Sequence, residues 1–151
     1  MKKKFILEGR LLPFGVKSQH GRVYTKESIE KAFNEFKERV DKGEMFGVLE
    51  QRAYDWSGPY MEIPASEYSH KVISVELKDD GIYGKLEILG TPKGKLVKEI
   101  SHAQLFLYGA QRAMGCDRPN SDIIDVDEIL SYDLTGSSAF GFEQEPLKMV
   151  S

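Results

Sequence analysis

The sequence predicts an α+β domain: a mostly antiparallel, strongly curved sheet or small barrel of about six to eight strands, with two main helices packed on it. Three observations lead to this prediction. Residues 71–77 and 82–89 form two extended runs, the first with a period-2 apolar face, on either side of a polar break, which is typical of a β-hairpin. Residues 25–41 repeat apolar side chains at helical spacing. A second, shorter helix is predicted after Thr91-Pro92.

The first third of the chain predicts a strand, a loop and the longer helix. Phe5–Gly9 is the strand, and residues 11–21 form a loop because they contain Pro13 and two glycines. Thr25 is a good N-cap, and Gly43 suits the position just after the helix. The apolar face of this helix consists of Ile29, Ala32, Phe33, Phe36 and Val40.

A short apolar strand, Met45–Glu50, leads into the irregular segment Arg52–Tyr68. Gly58 and Pro59, together with Pro64 near the end of the segment, exclude a regular element there. The segment carries four aromatic residues, Tyr54, Trp56, Tyr60 and Tyr68. Packing against the domain and an exposed binding surface are both compatible with this composition.

The middle of the chain is the hairpin Lys71–Leu77 and Ile82–Leu89, followed by a helix. Asp80-Gly81 supplies residues that tolerate a positive φ in the turn. Thr91 can cap the helix, and Pro92 suits its first position because the missing N–H costs nothing there. This helix is predicted to extend to Ile100.

The last third predicts a short buried strand over Leu105–Tyr108 and an extended region over residues 122–141 that breaks at Gly136. We therefore expect one domain, residues 1–141. Residues 142–151 are expected to form a C-terminal tail that is poorly ordered unless it docks on another surface.

Composition restricts the class of function. The net charge is −3 with 30% charged residues, so direct nucleic-acid binding, which usually needs a basic excess, is not expected. No apolar run approaches the roughly 20 residues that cross a bilayer, and we expect an intracellular protein with no membrane partner. One cysteine and three widely separated histidines give no disulfide, no metal site and no expected cofactor.

Several motifs resemble those of the prohead (capsid maturation) proteases of tailed phages, which share the assemblin-like serine protease fold. The hairpin segment SHKVISVELKDDGIYGKLEILGTPKGKLVKEI resembles the family's middle segment, and HGRVYT resembles its N-G-R-x-Y motif, with His20 in place of asparagine. Residues 133–140 are similar to its closing segment, through Asp133, Leu134, Ser138 and Phe140. The resemblance extends over roughly residues 5–141.

Both catalytic positions of that family are substituted in this sequence. The family's general-base histidine corresponds to Gln51, in the segment GVLEQR, and its nucleophilic serine corresponds to Ala110, two residues before Arg112. A glutamine amide cannot accept the proton of a serine hydroxyl, and alanine has no attacking atom. The resemblance implies that Gln51 and Ala110 lie within side-chain reach, with Arg112 and the framework residue His70 as supporting groups.

The first functional hypothesis is a catalytically inactive, structural or scaffolding relative of the prohead protease in virion head assembly. Its partners would be phage capsid or scaffold proteins, with self-association left open. It would act in the host cytoplasm during assembly and could be retained in the virion head.

Two alternatives remain open at this level. One is an active endopeptidase with a relocated catalytic centre. Its nucleophile could be Cys116 with His70 or His102 as the base, and Arg112 and Arg118 could favour a thiolate there. The nucleophile could instead be Ser138, with Asp133 nearby. Ser69-His70 and Ser101-His102 are not expected to form dyads, because neighbours on a strand face opposite sides. The other alternative is a capsid decoration or head-completion module that reuses the fold.

Overall fold

The computed structural model describes residues 4–50 and 63–150. In chain order the described elements are β1 (Ile6–Pro13), α1 (Lys26–Asp41), β2 (Phe46–Val48), β3 (Tyr68–Lys78), β4 (Gly81–Ile88), α2 (Pro92–His102), β5 (Tyr108–Asp117), β6 (Ile124–Thr135) and β7 (Lys148–Val150). Two short 3₁₀ turns, Ala65–Glu67 and Gly141–Glu143, complete them. The predicted α+β class, with antiparallel strands and two helices, is confirmed.

The described strands form two sheets rather than one continuous sheet. Five strands pair in the order β2-β3-β4-β1-β7, and β5 pairs only with β6 as a long hairpin. The described pairings within both sheets are antiparallel. Two isolated parallel bridges, Val23 with Ile123 and Leu49 with Leu134, attach the β6 edge to the chain that flanks α1. The core fills the space between these layers.

Helix α1 forms because local signals and burial agree. Thr25 accepts a hydrogen bond from the backbone N–H of Ser28, whose side chain closes the reciprocal capping bond. The five predicted apolar positions, Ile29, Ala32, Phe33, Phe36 and Val40, are all buried. The helix packs on β3 and β6, so it covers the region where the two sheets meet.

The hairpin β3–β4 and the helix α2 also form as predicted. Asp79 and Asp80 make the turn, and Gly81 already pairs with Lys78. A side chain at Gly81 would overlap the Leu12 carbonyl oxygen, so a glycine is required there by the close approach of β1. Thr91 caps α2 through the Gly94 N–H at 3.1 Å, and the helix continues to His102.

The prediction of a buried strand over Leu105–Tyr108 is wrong. Leu105 and Phe106 are 63% and 66% exposed, and β5 begins only at Tyr108. The strand instead has the less apolar sequence YGAQRAMGCD. Its own composition does not favour a strand, and its pairing with β6 stabilises the extended conformation.

The predicted tail docks on the domain. Gln144 is buried and donates hydrogen bonds to the carbonyls of Leu11 and Gly109. Leu147 is buried and its N–H bonds the Leu107 carbonyl at 2.8 Å. Residues Lys148–Val150 then add a strand beside β1, so this segment joins β1 to the start of β5.

Replacement of Gly94 by alanine should destabilise the fold, although alanine is usually the better helix residue by about 1 kcal/mol. A Cβ at this position would overlap the backbone carbonyl of Leu89 and approach that of Ser69. We expect a loss of about 1–3 kcal/mol in the free energy of unfolding, measured by urea denaturation. Gly90→Ala is the matched control, since nothing lies within 4 Å of its Cβ. Equal effects of the two substitutions would contradict the close packing of α2 on the hairpin.

Candidate functional site

Ala110, which the sequence resemblance matches to the nucleophile of the prohead proteases, lies on β5 directly opposite Asp133 of β6. Directly opposed residues of an antiparallel pair project on the same face. Two residues further along, Arg112 lies opposite Ser131 on that same face. The strand pairing therefore groups an alanine methyl with a carboxylate, a guanidinium and a hydroxyl.

The Asp133 carboxylate is fully buried and accepts hydrogen bonds from three directions. Its Oδ1 accepts from the backbone N–H of Val48 at 3.0 Å and from the Ser131 hydroxyl at 2.7 Å. Its Oδ2 accepts from Nε of Arg112 at 3.1 Å. Arg112 also donates from Nη2 to Ser131 Oγ at 2.8 Å. This buried network, defined by Arg112, Ser131 and Asp133, joins β2 to the β5–β6 hairpin.

Glu50 follows β2 and lies beside β6, on the edge of that strand opposite to β5. Its N–H donates to the Leu134 carbonyl at 2.7 Å, and its carboxylate accepts from the Gly136 N–H at 2.8 Å. The φ of Glu50 is +56°, a left-handed conformation that is uncommon for a residue with a side chain. This left-handed residue immediately precedes Gln51, which the sequence resemblance matches to the family base.

One strand, β6, separates Glu50 from Ala110, so their backbones lie roughly 10 Å apart at two strand spacings. Gln51 lies outside the described residues. Its side-chain approach to Ala110 stays a prediction, and so does the vestigial centre that the pair would define.

His70 lies on β3, fully buried, and bonds across to β6. Its Nε2 is 2.8 Å from the Tyr132 carbonyl oxygen and its Nδ1 is 2.7 Å from the Ser69 hydroxyl. A carbonyl only accepts, so Nε2 carries the ring proton and Nδ1 accepts from the serine. The Nε2 bond therefore links β3 to β6, while the Nδ1 bond fixes the ring within β3.

The prediction that Ser69 and His70 face opposite sides is wrong. Tyr68 pairs with Val48 while His70 pairs with Gly47, so Ser69 is the extra residue of a β-bulge. A bulge lets neighbouring side chains turn toward one another. Both residues are 0% exposed, so this contact is inside the fold. Ser101 and His102 lie on α2, where the strand argument does not apply.

The structure does not assemble the relocated centres. Cys116 is exposed, with Sγ 3.9 Å from a carboxylate oxygen of Asp127. Arg118, expected to favour a thiolate there, instead pairs with Asp125, and Arg112 pairs with Asp133.

The candidate bases and the second nucleophile are also engaged elsewhere. The ring of His102 packs edge-on against Phe5, and His70 is held between Ser69 and Tyr132. Ser138 donates to Gln144 rather than facing Asp133. Among the described residues, no histidine forms a hydrogen bond with Cys116 or Ser138.

Two features of the site escaped sequence reasoning. Ser131 precedes Asp133 by two residues and therefore shares its strand face, which is the one signal that could have identified it. The second is a cavity of about 250 Å³ between the loop of residues 18–24 and the loop of residues 135–140. Ala110 and Gln111 of β5 border it, together with His20 and Arg22.

Within the described residues, no three His, Cys, Asp or Glu side chains are grouped as metal ligands. In the same part of the chain, no helix is long and apolar enough to cross a membrane.

The fold is similar to that of the capsid assembly protease gp21 of bacteriophage T4. The TM-score is 0.72 at 19% sequence identity, over 89% of this chain and 83% of that protein. Neither a protein-family model nor a curated protein sequence matches this chain. The likeness concerns the fold alone, since 19% of the residues are identical.

Asp133→Asn should destabilise the protein by about 3 kcal/mol or more, because it removes one charge of a buried pair and places an amide N–H against a donor. Urea denaturation measures the loss. Asp41→Asn is the control: it removes an exposed carboxylate that pairs with Lys37 at 2.9 Å and should cost about 0.5 kcal/mol or less. A similar small cost at Asp133 would show that the buried network does not hold the two sheets together.

Stability should fall as the pH drops below the ordinary histidine value of 6.5. Burial lowers the pKa of His70, because it disfavours the imidazolium more than the Tyr132 carbonyl and the Asp133 carboxylate favour it. Below pH 6.5 the unfolded chain therefore binds a proton that the folded chain does not, and unfolding becomes easier.

Urea denaturation between pH 7.5 and 5 tests this, with His70→Gln expected to lose part of the pH slope. In the native wild-type chain, NMR should show that the pKa of the His70 ring is below the ordinary histidine value of 6.5. A His70 pKa at or above that value, or a slope unaltered by His70→Gln, would contradict the assignment.

Proposed function

We propose that this chain acts in head assembly of a tailed phage as a non-catalytic relative of the prohead protease. Its partners are capsid or scaffold proteins, and it works in the host cytoplasm during assembly and remains associated with the head. Two observations support this proposal: the fold is like that of a phage capsid assembly protease, and the sequence resemblance matches Ala110 to the family nucleophile.

The observation that carries the non-catalytic assignment is the environment of Ala110. The hydroxyl grouped with it, that of Ser131, is fully buried, donates to Asp133 and accepts from Arg112. A nucleophile needs access to the scissile carbonyl, and this fully buried hydroxyl has none. The Asp133 carboxylate is likewise occupied by three donors.

The sequence removes the base as well. Gln51 occupies the histidine position of the motif, and an amide does not take up a proton near neutral pH. In serine proteases the nucleophile and the base act as a unit, so the loss of one removes most of the rate and the loss of both adds little more. What such a protein retains is the capacity to bind.

The test is incubation of the full chain with the capsid and scaffold precursors of its own phage. We expect a stable complex by native mass spectrometry and no cleavage products by denaturing electrophoresis. An active prohead protease added to the same precursors is the positive control for cleavable substrate.

The two halves of the proposal fail separately. New precursor fragments, absent without this protein, would contradict the loss of catalysis. Absence of a complex with any head precursor, at concentrations where the active protease binds, would contradict the role in head assembly. The double variant Gln51→His, Ala110→Ser should bind as the wild type does and still not cleave, because Asp133 and Ser131 remain committed to the buried network.

A further inference from the structure

The exposed apolar side chains of the described chain are concentrated where α2 ends beside β7. Six large apolar side chains are exposed in this part of the chain, and four of them lie on α2, just after it or on β7. These four residues define the α2 corner: Leu96, Leu105, Phe106 and Met149. The Leu147 N–H, next to β7, bonds the Leu107 carbonyl at 2.8 Å, which joins the two parts of the corner. A contiguous exposed apolar surface marks an interaction site.

The backbone that presents the two exposed residues after α2 is held by hydrogen bonds on both sides. The Gln104 N–H bonds the Ser101 carbonyl at 3.1 Å, and the φ of Gln104 is +61°. The Leu105 N–H bonds the Ile100 carbonyl at 3.2 Å, which completes a Schellman cap. The Leu107 carbonyl is held in turn by the docked C-terminal segment. Because this backbone is already ordered, its apolar side chains lose less conformational freedom when they bind a partner.

Lysines without a carboxylate partner surround the α2 corner. Lys93, Lys95 and Lys98 of α2 and Lys148 of β7 form no ion pair within the described residues. Two copies of the corner would face each other with like charges, which disfavours self-association. Glu99 lies on the exposed face of α2 among these lysines and would repel an anionic membrane surface. The charges therefore favour a protein partner that carries carboxylates around an apolar centre.

We propose that the α2 corner binds an amphipathic helix of a partner protein, with acidic residues on both sides of its apolar stripe. Leu96 and Ile100 are four residues apart and share one side of α2, and the cap bonds Leu105 to Ile100. Apolar side chains thus follow the length of the helix. Its 11 residues extend over roughly 16 Å, which is about three turns of a partner helix packed along it.

Phe106 is the aromatic anchor of this contact, and the lysines pair with the acidic residues of the partner. The inference deepens the proposed function and rests on it for the identity of the partner, which is a head precursor.

The experiment measures the affinity of the full chain for the capsid and scaffold precursors of its own phage, with two variants of equal chemistry. Phe106→Ser removes the anchor and should weaken the complex at least about tenfold. Phe142→Ser is the control, because Phe142 is fully exposed in the turn Gly141–Glu143, outside the α2 corner, and it should leave the affinity unchanged. Both side chains are exposed, so urea denaturation should show an unaltered stability in each variant.

A second pair of variants tests the charge of the partner. Lys95→Gln together with Lys98→Gln should weaken the complex about tenfold. Lys31→Gln together with Lys42→Gln removes the same charge from exposed, unpaired lysines at α1 and should leave the affinity unchanged. Zero-length carbodiimide cross-linking, read by mass spectrometry, should join Lys95 or Lys98 to Asp or Glu residues of the precursor that are three or four positions apart.

The failure of this inference is distinct from the failure of the proposed function. A precursor that binds wild type and Phe106→Ser equally, or that is weakened equally by both lysine pairs, contradicts the α2 corner and leaves the role in head assembly standing. Absence of any complex with a head precursor contradicts that role, and this inference with it.

Two further measurements exclude the other occupants. A wild-type dimer in native mass spectrometry that Phe106→Ser dissociates would assign the corner to a second copy of this chain. Flotation of wild type, but not of Phe106→Ser, with vesicles of phosphatidylcholine and phosphatidylserine in equal amounts would assign it to a membrane surface. Either result overturns the proposal.

Discussion

A single buried carboxylate, that of Asp133, holds the two sheets together. An ionised group taken from water is tolerated only if donors replace its hydration, and here the donors come from three separate places. The Val48 N–H belongs to the five-stranded sheet, and Arg112 and Ser131 belong to the hairpin. Arg112 and Ser131 lie in the same hairpin as Asp133, so the Val48 N–H is the donor that a shift of β2 along β6 would displace. This bond ties the register of β2 to the hairpin.

His70, on β3, adds a second hydrogen bond between the two sheets. Its bond to the Tyr132 carbonyl crosses between the sheets, and the ring fills the space where a side chain at Gly47 would lie. Tyr132 in turn packs edge-on against Phe36 of α1. The polar junction and the apolar core thus meet at one residue. The polar side chains that the sequence motifs selected, such as those of Arg112 and His70, form hydrogen bonds that hold the fold together. The alanine side chain at position 110 has no polar atom and forms no such bond.

Local signals were enough to predict α1, α2 and the β3–β4 hairpin, because caps, turns and periodicity lie within a few residues of one another. They failed for β5, where the apolar run ending in Leu107 precedes the strand and pairing with β6 decides its position. The Ser69 bulge is also set by a partner strand. In the site, sequence motifs selected Ala110, Arg112 and His70, but no local pattern shows that Asp133 closes the network.

The alternation of side chains along β5 gives neighbouring residues of one strand different partners. Ala110 and Arg112 project with Asp133 and Ser131, whereas Gln111 projects with Tyr132 on the core side. Substitutions at 112 therefore act on the buried network, and those at 111 act on the hydrogen bond with Tyr132. Ala110 lies on the face of the network and also borders the cavity. Replacement of Ala110 would therefore alter the cavity lining together with the surroundings of the network.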